Sequence, residues 1–174
     1  MTDPRSPIPA ILFEPMHPGV VPPQRATAQS AGHDLVLCLA APTVRIFRDG
    51  LMESRPVEVD GDGRRITLAP REKALLPLGF KARLPEGYEA QVRPRSGTSL
   101  KTDLVIVNSP GTIDADYPDE WCVPGGNVGT APLVLRHGER IAQMVLTRYE
   151  ALPFTMGQVT QSTTRAGGFG STGT

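Results

Sequence analysis

The sequence has little cysteine, no excess charge of either sign and no long apolar run. Its 174 residues include two cysteines, Cys38 and Cys122. One stray pair argues against a disulfide framework, and no Cys-x-x-Cys spacing is there to hold a metal. Such sparse cysteine suits a reducing compartment. Lysine plus arginine number 18, and aspartate plus glutamate number 18. That balance argues against a broad nucleic-acid surface, which needs clustered Lys and Arg. It leaves room for a small anionic ligand held by a few placed groups. No apolar run approaches the roughly 20 residues of a membrane span. The N-terminus carries acid and proline early, unlike a basic-then-apolar leader. The expected compartment is the cytoplasm, with neither membrane nor nucleic acid as partner.

What the sequence has in plenty is glycine and proline, 18 of each. Prolines scattered along a chain leave little room for long helices. Short strands joined by turns are the expectation. Strand candidates run over 34–40, 43–47, 56–59, 66–68, 73–77, 80–84, 89–92, 103–107, 121–123, 133–135 and 141–149. So many short strands at close spacing predict an all-β sandwich or barrel. The one helix candidate is a turn or two over Ser96–Lys101, where a simple loop is the alternative. Residues 1–22 form a proline-rich arm, and its apolar stretch Ile8–Phe13 suits packing on the body or on a neighbouring subunit. Residues 23–156 form the β domain. Within it, residues 40–65 are polar and look like an inserted hairpin, expected to be a solvated decoration of the rim. Residues 157–174 form a Gly/Ser/Thr tail, expected to be mobile on its own.

Three constellations carry chemistry. Arg93-Pro94-Arg95-Ser96-Gly97 puts guanidinium, hydroxyl and glycine on one turn, a fair phosphate cradle. Gly111-Thr112-Ile113-Asp114-Ala115-Asp116-Tyr117 would place two carboxylates on one side if extended, though an Asp-favoured β-turn explains it equally well. Arg165-Ala166-Gly167-Gly168-Phe169-Gly170-Ser171-Thr172-Gly173 sets one aromatic in a pliable tail. There Phe169 could stack on a flat ring while hydroxyls meet phosphates, as in a lid; a plain linker is the bland alternative. Each alone is common, but their order and spacing together are not.

Taken together, these segments resemble the trimeric dUTPase family, whose five motifs recur in order. They are Ser30-Ala31-Gly32-His33-Asp34-Leu35; Pro94-Arg95-Ser96-Gly97; Asn108 with Gly111 through Tyr117; Gly138-Glu139-Arg140-Ile141-Ala142-Gln143; and Gly167 through Gly173. The resemblance runs from about residue 20 to the end, apart from the insertion. It implies a distorted antiparallel jelly roll assembled as a homotrimer, with active sites shared between subunits and closed by a third subunit's tail. It implies hydrolysis of dUTP to dUMP and pyrophosphate with Mg2+, which supplies dUMP for dTMP synthesis and keeps uracil out of DNA. Asp114 would orient and activate the attacking water. Tyr117 would lie beneath the deoxyribose, where a 2′-hydroxyl would clash. Asn108, Thr112, Ile113 and Cys122 would belong to the uracil-binding hairpin. Arg95, Ser96, Gly97 and Gln143 would contact phosphates, and Asp34 would hold Mg2+ through water. In the tail, Phe169 with Gly170 would cover uracil, and Ser171 and Thr172 would meet phosphates.

The chain departs from the pattern in places. Arg165 stands one position closer to Phe169 than the family has it, with Thr164 in the usual arginine place. A side chain of arginine's length absorbs that shift, so Arg165 is expected to keep its γ-phosphate contact. Pro118-Asp119 alters a turn after Tyr117. Two other readings compete. A dCTP deaminase shares the fold but needs a glutamate where Pro124 stands, and a dUTP-binding regulatory protein of the same fold would bind without turnover.

Overall fold

Proline and glycine cut the chain into short strands, and the strands find antiparallel partners throughout. The computed structural model describes residues 9–160 and 162–164. The first strands are β1 (Leu12–Pro15), β2 (Gln24–Arg25), β3 (His33–Val36), β4 (Thr43–Arg48) and β5 (Leu51–Pro56). Then come β6 (Glu58–Asp60), β7 (Gly63–Leu68), β8 (Lys73–Pro77), β9 (Phe80–Arg83) and β10 (Tyr88–Arg93). A short helix α1 (Ser96–Lys101) precedes β11 (Leu104–Ile106), β12 (Gly111–Ile113), β13 (Cys122–Asn127), β14 (Leu133–Arg136) and β15 (Arg140–Arg148). Two five-stranded sheets, ordered β12-β10-β15-β3-β2 and β11-β13-β8-β4-β5, carry the body, with a three-stranded sheet β14-β7-β6 and the pair β1-β9 beside them.

Alternation along the strands sets the core. In β4, Val44 and Ile46 point inward, and in β8 Ala74 and Leu76 do the same. They meet Leu35, Ile66, Leu68, Val123, Leu135 and Ile141 in one cluster. Burying each such aliphatic side chain stabilises by about 1.5–3 kcal/mol. Trp121 packs on Phe80 with ring centroids 5.4 Å apart, and Phe80 on Phe13 at 5.0 Å. Phe13 therefore fastens the proline-rich arm to the body, and β1 pairs with β9 from Leu12↔Arg83 to Pro15↔Phe80.

Several expected boundaries move. The strand expected over 34–40 is regular only to Val36. The next residues stay buried but bond to several elements in turn: Leu37 N–H to the Glu139 carbonyl, Cys38 N–H to Pro77 and Leu39 N–H to His137 Nδ1. Arg64 donates to the carbonyls of Leu39, Ala40 and Ala41. Backbone groups that are buried must be paired, and here the partners lie on no single strand.

The segment 40–65 is also less peripheral than a rim decoration. β4 pairs with β8 inside a main sheet, β5 forms that sheet's edge, and β6 and the start of β7 belong to the three-stranded sheet. Arg55 on β5 reaches inward to Glu72, whose side chain is 2% exposed. Arg55 grips that carboxylate at 2.6 and 2.8 Å, and the Ala69 N–H adds a third bond at 2.8 Å.

Candidate active site

Two groups of motif residues converge, and they converge in different places. The first surrounds a cavity of about 200 Å3 lined by Leu75, Val92, Asn108, Gly111, Thr112, Ile113, Asp114, Tyr117, Cys122 and Pro124. Its floor comes from strand pairing. β12 runs antiparallel to β10 with Val92 opposite Gly111 and Ala90 opposite Ile113. β13 pairs with β8, setting Pro124 beside Leu75 and Cys122 beside Pro77. Gly111 lets the Asn108 amide sit close: a Cβ there would lie 2.8 Å from Asn108 Nδ2 and push that side chain aside.

After Ile113 the chain does not stay extended. The Tyr117 N–H bonds to the Asp114 carbonyl at 3.3 Å, closing a turn over 114–117. The two carboxylates therefore do not share one side of a strand. Asp114 lines the cavity and Asp116 does not. The turn also brings Tyr117 to the cavity wall, where its ring is 41% exposed and its hydroxyl faces the Glu120 carbonyl at 3.5 Å. Burial raises the Tyr117 hydroxyl pKa, and the neighbouring Cys122 and Asp119 add to the rise. Burial pushes the Cys122 thiol up to about 12, with Glu120 reinforcing and Arg45 opposing. Both groups stay protonated near neutral pH, so the wall is uncharged at the thiol and the phenol.

The second group centres on Asp34. Its carboxylate accepts from Arg95 Nε at 2.7 Å and from an Arg140 terminal nitrogen at 3.1 Å. Three strands present these residues in register: Arg93 opposes Gln143 across β10 and β15, and Gln143 opposes Asp34 across β15 and β3. Gln143 Nε2 donates to the Pro94 carbonyl at 2.9 Å, fixing its amide against the turn that carries Arg95. Ser96 and Gly97 open α1, both exposed. Arg140 is a member of this group that motif reading passed over; its place three residues before Gln143 was the available signal, since β15 carries both.

The two groups do not merge within the protomer. None of Asp34, Arg95, Arg140 or Gln143 lines the first cavity. Asp34 and Arg140 instead border a separate cavity of about 450 Å3 beneath residues 18–26. Of the tail contacts, Arg165, Phe169, Gly170, Ser171 and Thr172 lie outside the described residues. The described chain after β15 carries no strand or helix, and Leu152, Phe154, Met156 and Val159 are all exposed. Four large apolar side chains standing in water on one strap is unusual for a finished surface.

Comparison with known proteins bears on this geometry. The family model for dUTPase matches residues 63–173. A deoxyuridine 5′-triphosphate nucleotidohydrolase of Rhizobium etli is 50% identical over 121 residues, which cover 66% of this chain and 74% of that protein. Among solved structures, a dUTPase of Staphylococcus bacteriophage 80alpha with dUpNHpp has a TM-score of 0.73 at 21% identity. It covers 95% of this chain and 99% of its own. A dUTPase from phage phi11 of S. aureus, described with a structural Mg(II) ion, has a TM-score of 0.67 at 20% identity, covering 88% and 99%. At these identities the solved structures speak for the fold, a distorted antiparallel jelly roll.

Proposed function

The chain belongs to the dUTPase family, and from that membership we propose that it hydrolyses dUTP to dUMP and pyrophosphate by attack of water on the α-phosphorus. The observation that carries the reading is the cavity in which Asn108, residues 111–114, Tyr117 and Cys122 meet. Its walls are apolar and its polar groups few, as suits a nucleoside. Backbone of the Gly111–Ile113 strand and of Cys122 offers hydrogen bonds to a uracil edge. The Tyr117 ring, at the cavity wall, would bear on the deoxyribose and exclude a 2′-hydroxyl. Asp114, exposed at the cavity, orients the water and accepts its proton as the new P–O bond forms. The bond from the α-phosphorus to the bridging oxygen breaks, and pyrophosphate leaves. Positioning and charge neutralisation supply most of the acceleration in such reactions.

The phosphates need cations that the cavity does not contain. Arg95 would supply charge, and Ser96, Gly97 and Gln143 hydrogen bonds, from a second copy of the chain, in a homotrimer whose sites lie between protomers. The separation of the two residue groups supports this arrangement. The tail, with Arg165, Phe169, Gly170, Ser171 and Thr172, would close the site. Among the described residues no cluster of three or more His, Cys, Asp or Glu stands ready to hold a metal. Asp34 is moreover occupied by two guanidiniums. This donor set fits Mg2+ carried on the triphosphate with Asp34 reached through water, since Mg2+ keeps several waters and takes few carboxylates. Mg2+ so held would neutralise charge on the leaving pyrophosphate. Both cysteines are free, which fits a reducing cytoplasm. There the reaction would supply dUMP for dTMP synthesis and keep uracil out of DNA. Pro124 lines the cavity where a deaminase would need a glutamate, so nothing in the site favours that chemistry.

The test is pyrophosphate release from dUTP by the purified full chain with Mg2+. Asp114→Asn should still bind dUTP and lose on the order of 10²–10⁴-fold in turnover, the usual contribution of a general base. Near-normal turnover in that variant would reassign the base, and absence of dUTP binding in the parent protein would remove the reading.

A further inference from the structure

Residues 43–60 lie outside every motif of the family pattern, yet they set a cation on a row of residues that runs to the candidate cavity. β4 pairs with β8 in the register Arg45↔Leu75, and β8 pairs with β13 in the register Leu75↔Pro124. Residues opposed across an antiparallel ladder project from the same face. Arg45, Leu75 and Pro124 thus form one row across three strands, and Leu75 and Pro124 line the cavity. Adjacent strands lie about 4.8 Å apart, a gap that an arginine side chain bridges. The Arg45 charge is felt at the cavity wall, where it opposes the rise that burial causes in the Cys122 thiol and the Tyr117 hydroxyl.

Arg45 is also uncommitted. It is exposed, and among the described residues its side chain has no hydrogen bond or ion pair. Arg48 and Arg55 on the same hairpin are both engaged with carboxylates.

We propose that Arg45 is a specificity-determining residue of this site, donating from its guanidinium to the O4 carbonyl of the uracil ring. The proposal rests on the dUTPase reading and goes beyond it. A guanidinium carries donors only. Uracil presents a carbonyl acceptor at the position where cytosine presents an amino donor. Donor facing donor leaves both unpaired once water is displaced, and sites built this way reject the mismatched group strongly. Arg45 would therefore favour dUTP over dCTP with a side chain, in addition to whatever the backbone contributes.

The experiment compares the parent chain with Arg45→Met, which keeps length and apolar stem but no donor, and with Arg45→Lys. The readouts are KM and kcat for dUTP, and the inhibition constant of dCTP as a competitor. Loss of one charge-assisted bond should raise the dUTP KM by about ten- to hundredfold, with a smaller effect on kcat and no weakening of dCTP. The ratio between the two nucleotides then narrows, and Arg45→Lys recovers part of it. An unchanged dUTP KM overturns the proposal. So does a parallel weakening of dUTP and dCTP, which would assign the cation to the phosphates that both share. A parent protein inactive on dUTP would instead sink the underlying family reading, and that outcome appears before any variant is made.

Discussion

A methyl group on Gly32 would place its Cβ 2.1 Å from Gln143 Oε1. The glycine of the first motif therefore exists for the glutamine of the fourth, 111 positions on. Gln143 is flexible at its far end, so Gly32→Ala should fold normally while displacing the amide from its bond to the Pro94 carbonyl. We expect kcat/KM for dUTP to fall at least tenfold, about 1.4 kcal/mol of transition-state stabilisation, with little change in melting temperature. A loss of stability without a loss of activity would contradict that assignment. Cys122 offers a second check at the same scale. Its thiol, pushed up to about 12, should resist alkylation by iodoacetamide at pH 8, where an ordinary thiol near 8.5 reacts readily. The raised value favours the neutral form in the folded state. Its stabilising effect is complete below the unfolded thiol's pKa and is lost as pH rises toward 12. Residue chemistry was legible where a motif carried it: Asn108, Asp114 and Tyr117 do meet at one cavity. Which of Asp114 and Asp116 lines it was not legible, because that depends on a turn hydrogen bond rather than on strand alternation.

At the scale of elements, alternating segments declared themselves and others did not. β8 over Lys73–Pro77 falls where the pattern puts it, and Ser96–Lys101, which the pattern left open between a helical turn and a loop, forms α1. β5, with Met52, Glu53, Ser54 and Arg55 in succession, has no apolar face to announce it, since an outer strand buries little. It is held instead by hydrogen bonds to β4 and by the Arg55–Glu72 pair. Residue type alone does not show that a glutamate 17 positions away is buried and needs a partner. Removing one member of such a pair leaves an uncompensated charge in a dry place. Arg55→Met should therefore lower unfolding stability by roughly 3 kcal/mol, toward the lower end of the usual range because Arg55 is partly solvated; chemical denaturation would measure it. Arg55 also holds the Glu72 carboxyl below the usual carboxylate range. That contribution is present above the unfolded glutamate's pKa and disappears as pH falls through the folded one. Acid unfolding of the parent should consequently show a stability loss that Arg55→Met lacks.

For the whole molecule, the decisive fact is that the cavity and the Asp34 group stand apart within one protomer. If sites form between copies, two inactive variants should rescue each other. Asp114→Asn spoils the cavity and leaves the cradle, while Arg95→Ala spoils the cradle and leaves the cavity. Random equal mixing in a cyclic trimer restores about a quarter of the sites. Mixed samples with no more activity than either variant alone would place a complete site in each chain. The exposed strap bearing Leu152, Phe154, Met156 and Val159 should be part of the association surface, so Phe154→Asp should lower the sedimenting mass. None of this was visible in composition, because an apolar residue on a strap resembles one in a core until the partner strands are known.

Sites shared between copies would tie activity to assembly. A protein whose lone copy owns only a portion of the machinery has specific activity that depends on how much of it is present. Dilution would then act as an off-switch, while a sister chain damaged in one part would still lend its sound part to its neighbours in a mixed ring. If sites form between copies, a cell carrying one sound and one faulty gene for this chain would lose about half of its catalytic capacity when the fault spoils one part, and about three quarters when it spoils both.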